Sequence, residues 1–330
     1  MAHSNSSLNC FANCMAKYEH SYIKHTPPCT PPSPHLTFGV MAHEVLYKAG
    51  TLRDEIRDGV VDNDAYYSII PSEVLYNDLK TEFGIKDWQR YFLPIIKKVA
   101  EYEQELILGK NDVVIEREIK LQLTADQLKE LGYYGLTQPL VGVVDLLITG
   151  KDYAIIVDYK FSNNLKGQDE FDMNSQLQLY ALLVHINYDI PLHNIKVGYI
   201  DIPKKSFDKP IVLSNGTLSR AKSQNVLQEM YEKAVVAIHG DDDYYNCQPG
   251  GYYYDAWCNY AHNKVAYVNV QYLDIETYQG IVKDVLDAAV MIEHINKNKL
   301  PYLKKYDSYS CKNCEYLNTC KPWTTVGGFN

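Results

Sequence analysis

Asp145, Asp158 and Lys160 are spaced so that two carboxylates and an ammonium can share one small site. Carboxylate oxygens suit a hard divalent cation, and a lysine beside it can orient a water or neutralise charge developing on a phosphate. Asp158 follows directly on the apolar run Ile155-Ile156-Val157, a setting in which a charge needs a partner or a metal. A second group consists of thiols. Cys311, Cys314 and Cys320 form C-x2-C-x5-C in SYSCKNCEYLNTC, a tight triplet that reads as a thiolate metal site. Three thiolates are one short of a closed tetrahedral or cubane set.

Positioning the acids takes a hairpin. The runs LVGVVDLLI and YAIIVDY, separated by Thr149-Gly150-Lys151-Asp152, predict strands at 140–149 and 152–160 with Asp145 facing Asp158. Alternation then puts Asp158 and Lys160 on one face and turns Tyr159 to the other. Glu118, on a strand predicted at 112–121, is a further candidate for an inward-pointing acid, with Glu116 on the same face by alternation. From Phe171 to Ile186, apolar residues at Leu177, Leu179, Tyr180, Leu182, Leu183 and Ile186 predict a mostly buried helix. Gln176 and Tyr180 are i and i+4 on it and share a face. Further helices are predicted at 37–58, 71–83, 86–108 (containing Pro94), 218–238 and 276–297, with strands at 194–202 and 209–213. The Thr124 to Gln127 spacing is that of a capping box and predicts a short helix. The order implies an α/β fold with a mixed sheet flanked by helices.

These residues resemble the PD-(D/E)xK nuclease superfamily, in particular its RecB-like branch. The resemblance lies in G-x-x-D at Gly142 to Asp145, D-x-K at Asp158 to Lys160, Q-x-x-x-Y at Gln176 to Tyr180, and G-x-x-x-H at Gly39 to His43. It implies a restriction-endonuclease-like mixed central sheet and a phosphodiester hydrolase acting on DNA with Mg2+ or Mn2+. In that reading Asp145, Asp158, Lys160, Gln176 and Tyr180 are catalytic, and His43, Asp145, Asp158 and the Tyr159 carbonyl hold the metal. The expected activity is that of an exonuclease or a nuclease for single strands and free ends, in recombination, repair or DNA processing. The competing reading is a DNA-binding subunit that works only with a helicase, recombinase or CRISPR adaptation partner. A purely redox iron-sulfur protein would leave the ordered acid, lysine, glutamine and tyrosine series unexplained.

The opening SSLNCFANCMAKYEHSY is similar to that of RecB-like nucleases that carry an iron-sulfur cluster, with Ser6 capping a short helix and Cys14 as the matching cysteine. By that resemblance Cys14, Cys311, Cys314 and Cys320 ligate a 4Fe-4S cluster and staple the chain ends together. Spacing alone leaves zinc as an alternative metal and Cys10 as an alternative ligand. Cys29, Cys247 and Cys258 read as ordinary thiols.

The 330 residues, 46% hydrophobic and 22% charged, can bury a sizeable core. No apolar run approaches the ~20 residues needed to span a bilayer. The polar, mixed first twenty residues do not read as a signal peptide, so reduced thiols and a cytoplasmic location are expected. A net charge of −9 sits beside local basic stretches at 202–210, 219–222 and 296–306. In the last of these Tyr302 and Tyr306 interleave with lysines, a composition suited to phosphate contact and base stacking. Proline-rich 26–34 and the segment 240–255 read as loops. The expected organisation is a helical N-terminal region at 1–110, a nuclease core at 111–213 and a helical C-terminal region with the metal-cluster loop at 214–330, within one integrated domain.

Overall fold

A computed structural model describes residues 2–29, 34–57, 88–110, 112–162, 168–203, 251, 267–304, 308–312 and 314–320. The elements run β1 (His3–Ser4), α1 (Asn5–Asn13), α2 (Met15–Tyr18) leading into a π-helical turn (Glu19–Ile23), α3 (Pro34–Arg57), α4 (Trp88–Ile107), β2 (Val114–Leu123) and α5 (Ala125–Glu130). They continue β3 (Leu140–Thr149), β4 (Ala154–Ser162), α6 (Gln168–Asp172), α7 (Ser175–Tyr188), β5 (Ile195–Pro203), β6 (Tyr267–Tyr272), α8 (Ile275–Lys297), α9 (Ser308–Lys312) and α10 (Leu317–Cys320). The helices expected at 71–83 and 218–238, the strand at 209–213, the basic stretches at 204–210 and 219–222, Tyr306, Cys247 and Cys258 lie outside the described residues.

Among the described residues the strands form one six-stranded mixed sheet, ordered β1-β3-β4-β5-β6 with β2 paired to β3. The predicted hairpin is β3 and β4, and β4 and β5 are parallel, joined through α7 as a crossover helix. One face of the sheet packs Leu140, Val144, Leu147, Ile156 and Val197 against α7, α8 and α1. The other face packs Leu146, Ile148, Ile155, Val157 and Tyr159 against Ala42, Val45 and Leu46 of α3 and Ile95 and Val99 of α4. Burial on both faces explains why YAIIVDY is apolar without alternation. It also explains why Leu177 to Val184 are all buried in α7.

The pleat of the sheet is broken at one rung. On β3, Leu140 and Val144 face the α7 layer, yet two residues beyond Val144 it is Leu146 that faces α3 and Leu147 that faces α7. On β2, Ile119, Leu121 and Leu123 face α7 whereas Val113 and Ile115 face α3. The register pairs Arg117 with Leu146 and Ile119 with Val144, leaving Glu118 and Asp145 opposite each other without a ladder bond. Glu118 has φ 50, the left-handed conformation that an L-residue adopts at a cost, and this reverses the facing of everything beyond it. The expected alternation of Glu116 with Glu118 is therefore corrected: Glu116 accepts a hydrogen bond from Tyr188 Oη of α7 at 2.6 Å.

A gap opens on the other edge of β3. β4 pairs with Leu146 to Thr149, and β1 takes the same edge at Leu140 and Val141. Residues 142–145 lie between the two, with Gly142 and Val144 facing α7. Gly142 makes that close approach possible, since a Cβ there would stand 2.7 Å from Leu183 Cδ1 and 2.8 Å from Tyr180 Cε1.

At the N-terminus the cap of α1 is Ser4, not Ser6. Ser7 N donates to Ser4 Oγ and Ser4 N donates to Ser7 Oγ, a reciprocal box that starts the helix ahead of Ser6. The box expected at Thr124 and Gln127 is present at α5. Strands β1 and β6 were not expected. β1 has only two residues, but β6 carries a readable alternation of Val268 and Val270 with Asn269 and Gln271.

Candidate active site

The sheet, α3 and α7 deliver two linked groups of side chains to the gap in β3. In the first, ligand atoms of His43, Glu118 and Asp145 all lie within 4.8 Å of one another. His43 Nδ1 is 3.4 Å from Asp145 Oδ2, and that oxygen accepts the Tyr159 backbone N–H at 2.8 Å. The β3–β4 ladder ends at Leu146 and Val157, so the Asp145 carboxylate takes up an N–H of β4 just beyond the last rung.

In the second group, Lys160 Nζ lies 2.5 Å from Asp158 Oδ2 and donates to Gln176 Oε1 at 2.9 Å. Gln176 Nε2 donates to Asp158 Oδ1 at 2.9 Å and to Tyr180 Oη at 2.7 Å. The carboxamide thereby holds lysine, aspartate and tyrosine in one chain, made possible by Asp158 and Lys160 sharing the α7 face. Tyr159 turns to the opposite face, as alternation requires. Asn174 caps α7 through Leu177 N at 3.0 Å, which fixes the turn that carries Gln176. The Lys160 ammonium also stands 5.8 Å from the centre of the Tyr199 ring.

The electrostatics link the two groups. Burial and the neighbouring Asp145 charge push the Asp158 carboxyl up to about 7, with Lys160 offsetting only part. Burial pulls the His43 imidazole down, but its hydrogen bond and charge contact with Asp145 outweigh this and hold it above its ordinary value. Glu118 is raised by burial and by Asp145, with His43 opposing. Asp158 Oδ2 is buried against the Lys160 ammonium. An imidazole and two closely set carboxylates, those of His43, Glu118 and Asp145, fit a divalent cation.

Each expected site residue thus has a definite place. Asp145, Asp158, Lys160, Gln176, Tyr180 and His43 converge, with Asp158 on the lysine side rather than within the tight trio. Glu118, the further candidate for an inward-pointing acid, completes that trio, its position depending on the left-handed turn that a two-residue period does not foresee. Gly39 meets nothing within 4 Å of a Cβ, so close packing does not require a glycine there.

The thiols gather at the other end of α1. Cys14 separates α1 from α2, and its Sγ accepts Lys17 N at 3.4 Å. Cys314 Sγ accepts Tyr316 N at 3.4 Å. Lys17 Nζ donates to Glu315 Oε2 at 3.3 Å, Cys29 N donates to the Glu315 carbonyl at 2.7 Å, and the rings of His20 and Tyr316 stack at 5.4 Å. Burial raises the Cys320 thiol; Lys304 opposes this, while Cys14, Cys314 and Cys311 add to it. Cys10, Cys14, Cys29, Cys311, Cys314 and Cys320 are all unbridged. Tyr302 of the lysine-rich segment packs its ring 5.7 Å from that of Tyr18 and 6.3 Å from that of Phe11, and its hydroxyl donates to Asn296. The lysine-rich segment is thereby fastened to the N-terminal helices.

This site and fold are those of a metal-dependent phosphodiester hydrolase. The sequence model of the PD-(D/E)XK nuclease superfamily matches residues 2–321, and the chain belongs to that superfamily. No curated protein matches it. Among solved structures it is similar to an exonuclease candidate from Eubacterium rectale, with TM-score 0.41 and 10% identity over 94% of this chain and 92% of the other. It is also similar to the protein SSO0001, with TM-score 0.27 and 12% identity over 84% of each chain. No described helix is long and apolar enough to cross a membrane.

Proposed function

We propose that the protein is a RecB-like deoxyribonuclease that removes nucleotides from DNA ends or single strands, with His43, Glu118 and Asp145 as the core of its metal site. The observation that carries this reading is the His43–Glu118–Asp145 trio standing beside the Asp158–Lys160–Gln176–Tyr180 chain. Asp158 and the Tyr159 carbonyl extend the donor set. When bound, Mg2+ or Mn2+ acidifies a water and polarises the scissile phosphate. Lys160 orients the attacking water and offsets charge on the phosphate. Gln176 keeps the lysine from collapsing wholly onto Asp158, and Tyr180 buttresses Gln176.

The G-x-x-x-H segment supports the RecB-like branch, because it delivers His43 to Asp145. The thiols support an iron-sulfur cluster held by Cys14, Cys311, Cys314 and Cys320. A single zinc held by the same four thiolates is the alternative at this site. The cluster's role is structural, joining the N-terminal helices to the C-terminal loop.

The test is cleavage of end-labelled single- and double-stranded DNA by anaerobically purified protein with Mn2+, Mg2+ or EDTA, alongside Lys160→Ala. Metal-dependent cleavage lost in the variant supports the proposal. Equal cleavage by the variant refutes the role of Lys160. Folded, cluster-loaded protein that cleaves nothing points instead to a DNA-binding subunit dependent on a partner.

A further inference from the structure

Behind the acids, on the α3 face of the sheet, lies a buried set of charges that the proposed chemistry does not use. Arg117 has a side chain only 3% exposed. Its Nε donates to Asp54 Oδ2 at 2.7 Å, and its NH2 group to Glu103 Oε2 at 2.7 Å. Its NH1 group reaches Glu103 Oε1 at 3.3 Å and Tyr159 Oη at 3.4 Å. Tyr159 Oη in turn donates to Glu103, which also pairs with Arg53. Gly50 leaves the space for this, since a Cβ there would stand 2.3 Å from Arg117 Cζ.

The network lies on α3 and β2, which supply His43 and Glu118, and reaches Asp145 of β3 through the backbone of Tyr159. Arg117 precedes Glu118, the residue whose backbone turns left-handed. Asp54 and Arg53 lie on α3 with His43. Tyr159 lies between Asp158 and Lys160, and its own N–H is the one held by Asp145. Buried ion pairs are poor stabilisers, because desolvation offsets their attraction and apolar residues of similar size do as well or better. Their directional bonds do fix register and spacing, which shape-filling side chains do less well.

We infer that Arg117, Glu103 and Tyr159 are positioning residues that set the spacing of His43, Glu118 and Asp145 from behind the sheet. This rests on the reading of those residues as a metal site. Outer groups that orient metal ligands commonly affect metal affinity by about tenfold to hundredfold.

The test is Mn2+ binding by titration calorimetry, with thermal melting, on the full chain, on Tyr159→Phe and on the paired replacement Glu103→Met with Arg117→Met. Asp145→Ala is the control. Tyr159→Phe removes one hydroxyl and should fold, and the paired variant removes both charges together. Tyr159→Phe is expected to melt near the wild-type temperature and the paired variant below it, because Asp54 and Arg53 lose their partners, and both are expected to bind Mn2+ about tenfold or more weakly. Unchanged Mn2+ affinity in both variants, whatever their melting temperatures, overturns the inference while leaving the metal site standing. Absence of Mn2+ binding by the wild type, or equal binding by Asp145→Ala, overturns the metal-site reading itself.

Discussion

Glu118 and Asp145 occupy the same rung of two antiparallel strands, and each is the residue at which its own strand changes face. The register is identical on either side of them, so no residue is inserted. Instead the ladder skips one rung, with Glu118 at φ 50. The two carboxylates are thereby turned toward each other and toward His43, where ordinary pleating would have left each in line with its neighbours two residues away.

The same gap depends on a glycine on β3. A methyl group on Gly142 would overlap both Leu183 and Tyr180. Gly142→Ala is expected to cost about 1–3 kcal/mol of stability, the usual penalty of overpacking. It should also lower cleavage by displacing Tyr180 from Gln176. Denaturant unfolding with parallel rate measurement checks both; a variant as stable and active as wild type would show that α7 does not need this contact.

Gln176 joins the lysine to the aspartate without belonging to the metal trio. Gln176→Leu is therefore expected to leave Mn2+ affinity near its wild-type value while the single-turnover cleavage rate falls roughly hundredfold, the usual cost of misplacing a reacting group by about an ångström. An altered Mn2+ affinity with an unaltered rate would contradict the assignment.

The acid limb of stability should report Glu103. Burial alone would raise this carboxyl, but Arg53 and Arg117 outweigh it and hold it below its ordinary value near 4.5. Its stabilisation is then fully present above that pH and is lost as the pH falls through the lower folded-state value. Unfolding measured between about pH 3 and 6 should show a shallower acid slope in Glu103→Gln than in wild type, together with lower stability near neutrality. Parallel slopes would argue against the depressed carboxyl.

For the thiol group, the proposed cluster predicts that Cys320→Ser abolishes the visible absorption of anaerobically purified protein and lowers its melting temperature, because a metal held by residues from both chain ends contributes to folding. Normal melting with only the chemical step altered would oppose a structural cluster.

Much of the site is legible in the sequence because it follows simple periods. Asp158 and Lys160 are two apart on a strand, Gln176 and Tyr180 four apart on a helix, and the hairpin places Asp145 beside them. Glu118 and the Arg117–Glu103–Tyr159 network are not legible in the same way. The first depends on one left-handed residue and a simultaneous change of face on the partner strand. The second joins α3, α4, β2 and β4, elements far apart in the sequence. The resemblance implies Ser6 as the cap, but serines stand at positions 4, 6 and 7, and only the reciprocal bonds of Ser4 and Ser7 decide among them. Tyr302 shows the limit of composition: a tyrosine among lysines reads as a base-stacking residue, yet its ring packs against Tyr18 and Phe11.

The most direct test of the account is a Mn2+ titration of DNA cleavage by wild type, Glu118→Gln, Asp145→Asn and Lys160→Met. Asp145→Asn is expected to be inactive at any Mn2+ concentration tested, and Glu118→Gln to need about tenfold or more Mn2+ for half-maximal rate. Lys160→Met should lose rate without a shift in its Mn2+ requirement. Cleavage that persists in EDTA, or the same Mn2+ requirement and rate in all four proteins, would contradict it.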